Sequence, residues 1–127
     1  MLALYPDEWL TSEYIAGSVN TNAVVIRRIL GVLREAGLVV SQPATGGGWK
    51  LARDPDQISL LAIYQALDEG SLFALHSRSP NPECRVGRGV QRGLETIYAE
   101  AQAALEERLA RETVTDLLGR VLDPYRE

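Results

Sequence analysis

Apolar positions recur at helical spacing along much of the chain and alternate in strand fashion over one short stretch. The first helical pattern is Thr11-Ser12-Glu13-Tyr14-Ile15-Ala16, with Ile15, Ala16 and Val19 expected to face a core. Thr11 is placed to cap it, its hydroxyl accepting an early helical N–H, and Glu13 falls in the first turn, where the helix dipole favours negative charge. Asn22 opens the next helix, in which Ile26, Ile29, Leu30 and Leu33 form one stripe at i, i+3, i+4 and i+7. On the same wheel Val24, Arg28 and Gly31 point away from that stripe, while Arg27 and Arg34 lie on its flank. Gly37 stops the helix, at a position where a left-handed residue costs least.

Leu38-Val39-Val40-Ser41 and Trp49-Lys50-Leu51-Ala52 then read as β strands, joined through Pro43 and the glycines 46–48 as a hairpin with a loose tip. Ser59 caps a third helix with core positions Leu60, Leu61, Ile63, Tyr64 and Leu67, ended by Gly70. Residues 71–87 form a long connection that holds His76 and Cys84. A long helix is expected from Arg88 to about Arg111, with an apolar seam of Val90, Leu94, Ile97, Ala101, Leu105 and Leu109. At about 35 Å it outreaches a small domain, so its spare face is expected to meet a second copy of the chain. A short helix, Val114 to Leu122, closes the pattern before Asp123-Pro124.

This order predicts a mainly α fold with a small β-hairpin: a winged helix-turn-helix followed by a long C-terminal dimerisation helix. Residues 1–70 would be a winged helix-turn-helix DNA-binding domain, residues 71–87 a connecting or sensor loop, and residues 88–127 the dimerisation helix with a short C-terminal helix. Such a layout commonly sets one helix in a DNA major groove and the hairpin near the minor groove.

Composition narrows this little. The 127 residues are 46% apolar and 24% charged, no apolar run approaches the ~20 residues of a membrane span, and no signal peptide is visible. A single cysteine makes no internal disulfide, which points to the cytoplasm. The net charge of −4 changes the picture once it is divided along the chain. Between Asn20 and Arg53 stand Arg27, Arg28, Arg34, Lys50 and Arg53 against Glu35 alone, whereas from Asp54 onward 8 basic residues face 13 acidic ones. A basic reading surface on an acidic scaffold has that asymmetry, as would a few solvated arginines on an ordinary helix.

The candidate DNA contacts are Thr11, Thr21, Asn22, Val24, Arg27, Arg28 and Arg34 on the two helices and Thr45, Gly46, Gly47, Trp49 and Lys50 on the wing. An arginine can fork onto guanine and a methyl-bearing side chain can meet a thymine methyl; Val24 could equally pack on a neighbouring helix. The glycine run lacks a following Gly-Lys-Ser/Thr and so is a poor phosphate loop. It serves a close backbone approach to DNA or simply a tight wing. No arrangement of nucleophile, base and carboxylate and no metal-ligand spacing is present, so no enzyme, cofactor or metal is expected. His76 has no second ligand at metal spacing. Cys84, with Arg85 and Arg88 nearby, is either inert or a thiol whose oxidation shifts a dimer.

Thr21-Asn22-Ala23-Val24-Val25-Ile26-Arg27-Arg28, Leu33-Arg34-Glu35-Ala36-Gly37-Leu38-Val39 and Gly46-Gly47-Gly48-Trp49-Lys50-Leu51 together resemble the winged-helix regulators that include IscR, NsrR and CymR. Asn81-Pro82-Glu83-Cys84-Arg85-Val86-Gly87 resembles the YwnA-like subgroup, which carries no cluster. The resemblance implies a homodimer clasped through its long helix, with double-stranded DNA as partner, acting as a repressor. Three features depart from the family. Cys84 stands alone where cluster-binding relatives have three cysteines, and Pro43-Ala44-Thr45 replaces an arginine before the wing glycines. The family also begins with a helix of about a dozen further residues, and this sequence starts near that helix's end. The last two features motivate an alternative, a winged-helix protein-interaction module without DNA binding, whose partner would bury Val24 and Trp49.

Overall fold

Side-chain caps start the helices of the computed structural model, which describes residues 1–43, 45–68 and 81–123. Thr11 Oγ1 accepts from Tyr14 N at 3.1 Å and opens α1 (Ser12–Val19); Asn22 Oδ1 accepts from Val25 N at 3.0 Å and opens α2 (Ala23–Glu35). Each cap satisfies one of the N–H groups that a helix start leaves without a partner. Between the helices Asn20 takes a left-handed conformation, φ 55°, which a short polar side chain tolerates. Gly37, at φ 75°, ends α2 while Leu38 N donates back to Leu33 O at 3.0 Å.

The hairpin pairs β1 (Val39–Gln42) with β2 (Gly48–Leu51) in antiparallel register, Val39 opposite Leu51 and Gln42 opposite Gly48. Both strands lie one residue away from the expected runs. The hairpin is tied to the segment before α1 by a second, isolated pairing: Leu10 N donates to Trp49 O at 3.1 Å and Trp49 N to Leu10 O at 2.8 Å. Gly48 permits that approach. It sits at φ 152°, and a Cβ there would lie 2.5 Å from Leu10 O.

One core gathers Leu10, Ile15, Ala16, Ile26, Leu30, Val39 and Trp49, with Met1, Leu2, Ala23, Leu33 and Leu51 packed against it. Val19, expected in this core, is 55% exposed at the end of α1. A 3-10 turn (Pro55–Gln57) leads to Ile58, the most deeply buried large side chain among the described residues, and Ser59 Oγ accepts from Ala62 N to start α3 (Leu60–Leu67). Gly70, expected to end that helix, and His76 lie outside the described residues.

The long helix α4 (Arg85–Ala110) begins three residues before the expected Arg88, because Cys84 serves as its N-cap: Sγ accepts from Gly87 N at 3.3 Å. It packs on α3, where Gln102 Nε2 donates to the Tyr64 hydroxyl at 3.0 Å. α5 (Val114–Leu122) starts with a reciprocal capping box between Thr113 and Asp116. The corner between α4 and α5 is joined to the start of α3 and the residue before its cap by Leu60 N donating to Glu112 O at 2.8 Å and Val114 N to Ile58 O at 2.9 Å.

Candidate nucleic-acid interface

The stripe that buries Ile26 and Leu30 turns the opposite side of α2 outward. Val24, 67% exposed, shares that side with the exposed Arg27 and Arg28. The two arginines are held differently. Arg27 Nη1 donates to Glu13 Oε1 on α1 at 2.9 Å; Arg28 makes no ion pair among the described residues. Thr11, Thr21 and Asn22 line the exposed edge at the helix starts, and the side-chain oxygens of Thr11 and Asn22 are already engaged as caps. The surface is therefore apolar at Val24, fixed in charge at Arg27 and free in charge at Arg28.

The wing stands beside it. Thr45 and Gly46 are exposed at its tip and Gly47 is half-buried. Lys50 lies with its ammonium 4.8 Å from the centre of the Trp9 ring, and the Arg34 guanidinium lies 5.5 Å from that of Trp49 while donating to Ser41 Oγ at 2.8 Å. Cation–π contact of this kind fixes a flexible side chain in direction without neutralising its charge. A groove of about 360 Å³ opens here, lined by Arg34, Ser41, Gln42, Pro43, Gly48 and Trp49.

Trp49 itself is not on the outer surface, contrary to the expectation that it contacts DNA. Its side chain is buried and its indole N–H donates to the buried Ser12 Oγ at 2.9 Å, so the residue pins the wing to α1. Ser12, Trp9, Leu10 and Glu13 thus shape the surface without having been singled out for it in the sequence. Their partners are remote, and no spacing rule joins positions 12 and 49 or 13 and 27. Of the long-helix seam, Val90, Leu94 and Ile97 are 56%, 36% and 58% exposed, whereas Ala101 and Leu105 are half-buried where α4 meets α3.

The model of the Rrf2 family, described as iron-dependent transcriptional regulators, matches residues 1–120. The chain belongs to the Rrf2 family. YwnA of Bacillus subtilis, a candidate HTH-type transcriptional regulator, is 40% identical over 116 residues, 91% of this chain and 86% of YwnA. A crystal structure of a candidate DNA-binding protein superposes with a TM-score of 0.72 at 37% identity, covering 92% of this chain and 91% of the other. CymR, the global cysteine regulator of B. subtilis, superposes with a TM-score of 0.66 at 25% identity, covering 91% of this chain and 83% of CymR.

This Rrf2 chain is accordingly a transcriptional regulator with a DNA-binding winged-helix fold, and the family and its relatives are regulators rather than enzymes. The iron of the family description does not fit the donors at hand. Cys84 is the one cysteine of the sequence, exposed and engaged as a helix cap. Among the described residues no three His, Cys, Asp or Glu side chains converge as metal ligands, and an iron–sulfur cluster ordinarily takes four ligands, thiolates above all. Among the described residues, also, no helix is long and apolar enough to cross a membrane.

Proposed function

We propose that the protein is a homodimeric, sequence-specific repressor that reads double-stranded DNA through α2 and its wing and works in the cytoplasm without an iron–sulfur cluster. The observation that carries this reading is the outward face of α2. An exposed Val24 beside two arginines is poor design for a solvated surface and suits a major groove. Arg28 reaches bases or phosphates, Arg27 the base edges, and Thr21 and Asn22 the backbone at the start of the helix. Arg34, Lys50 and the tip at Thr45 to Gly47 lie along the flanking strand. Residues 1–70 form the reading domain, residues 71–84 the connection and residues 85–127 the association element, which starts with α4 and whose bare Val90, Leu94 and Ile97 meet the same residues of a second copy.

Phosphate contacts set affinity and its salt dependence, while contacts to base edges set sequence. The test is fluorescence-anisotropy binding to promoter fragments at two salt concentrations. Binding selects among fragments and weakens with salt, and where Arg28 forks onto a guanine, Arg28→Ala weakens the selected complex by about 1–3 kcal/mol. An unchanged affinity removes Arg28 from the contact set. The interaction-module alternative expected a partner that buries Val24 and Trp49; Trp49 is already inside the core, so of that pair only Val24 is left for a partner to cover.

A further inference from the structure

We propose that Glu13 is a positioning residue that sets sequence selectivity, holding Arg27 over the base-reading face of α2 and away from DNA phosphates. This rests on the reading of α2 as the helix that enters the groove. The pair joins the first turn of α1 to the middle of α2 through Arg27 Nη1 and Glu13 Oε1, 2.9 Å apart. Its side chains are 50% and 69% exposed, so it contributes little to folding. A carboxylate on a surface that faces a polyanion also opposes binding. A residue that adds little stability and costs affinity acts on something else, and the geometry identifies it.

Only Nη1 of Arg27 is engaged, which leaves the other donors of its planar fork available in a direction fixed by the ion pair. Arg28, one residue later, has no ion pair among the described residues and can swing to any phosphate. One arginine is thus reserved and its neighbour released. Reserving Arg27 weakens complexes that offer only phosphates. A matched sequence regains the loss when the oriented fork meets a base edge. Discrimination of this sort comes from a penalty on the wrong partner as much as from attraction to the right one.

The test compares the intact protein with Glu13→Gln, Arg27→Ala and the double variant, by fluorescence anisotropy on a selected promoter fragment and on a random duplex of equal length. Glutamine keeps the length of the side chain and removes the charge. Glu13→Gln tightens binding to the random duplex by roughly tenfold and the promoter complex by roughly twofold, and so lowers the selectivity ratio by roughly fivefold. The fall vanishes when Arg27 is already alanine. A ratio unchanged by Glu13→Gln in a protein that is selective to begin with overturns the role of Glu13 and leaves the reading of α2 intact. An equal fall in the Arg27→Ala background overturns it also, since bulk charge would then be the cause. Should the unaltered protein show no selectivity among duplexes, the reading of α2 falls and this inference with it.

Discussion

At Gly48 a missing side chain sets the position of the wing. The residue lies at φ 152°, and a Cβ would fall 2.5 Å from Leu10 O and 2.7 Å from Leu10 C, both backbone atoms held by the pairing with Trp49. Relief would require breaking the pairing that anchors the hairpin. Gly48→Ala therefore destabilises the fold by about 1–3 kcal/mol. Gly17→Ala, in the middle of α1 with nothing within 4 Å of the new methyl, stabilises it by about 0.5–1 kcal/mol. Urea denaturation of the two variants checks the opposite signs, and equal effects would remove the close approach as the reason for glycine. The caps at Thr11 and Asn22 were legible in the sequence because donor and acceptor lie three residues apart. Gly48 and Trp49 were not, because Leu10 and Ser12 reach them only once the chain has folded back across more than thirty residues. An aromatic next to glycines and a lysine read as a contact surface, and burial made it an anchor.

Among the elements, the corner between α4 and α5 concentrates the ionic chemistry. Glu112 accepts from both Arg108 and Arg120 at 2.7 Å, and the Arg108 hydrogen bond holds its carboxyl below the ordinary value of 4.5. Asp116 is held below 3.8 by the Thr113 backbone N–H and then by the Thr113 hydroxyl. Carboxyls lowered by folding bind fewer protons in the folded state than in the unfolded one. Their contribution to stability is complete above the ordinary carboxylate range and is lost as pH falls through the lowered values. The melting temperature therefore drops as pH is taken from about 5 to about 3, and a Glu112→Gln, Asp116→Asn variant loses less over that interval. Parallel losses in the two proteins would place the acid sensitivity elsewhere. The expected bounds of α5 hold because its signals are local, Asp123-Pro124 at its end and the Thr113–Asp116 capping box that the structure shows at its start. It misplaced the start of α4 because cysteine is a poor cap by propensity, yet Cys84 Sγ takes the Gly87 N–H.

Over the whole molecule, the hydrogen bonds of Ile58 and Leu60 to the α4–α5 corner make the reading domain and the long helix one piece, so the direction of α4 fixes where α2 points. The spacing of the seam was visible in the sequence, but its division was not. Where α3 lands decides that Ala101 and Leu105 are half-covered and that Val90, Leu94 and Ile97 stay bare. A row of three large apolar side chains along one helix face is the kind of exposure that marks an association surface. A two-fold arrangement would place each of these residues against the same face of the partner and carry two copies of α2 to successive major grooves, about 34–36 Å apart. Ile97→Asp sets charges into that contact. It weakens self-association at least tenfold, which corresponds to about 1.4 kcal/mol, and leaves helix content and melting of the reading domain nearly unchanged, because Ile97 lies outside the core. Sedimentation equilibrium reads the first effect and circular dichroism the second. DNA affinity falls together with association, since one reading helix alone holds a single half-site. A monomeric variant that bound its promoter as tightly as the unaltered protein would show that the seam has no part in recognition.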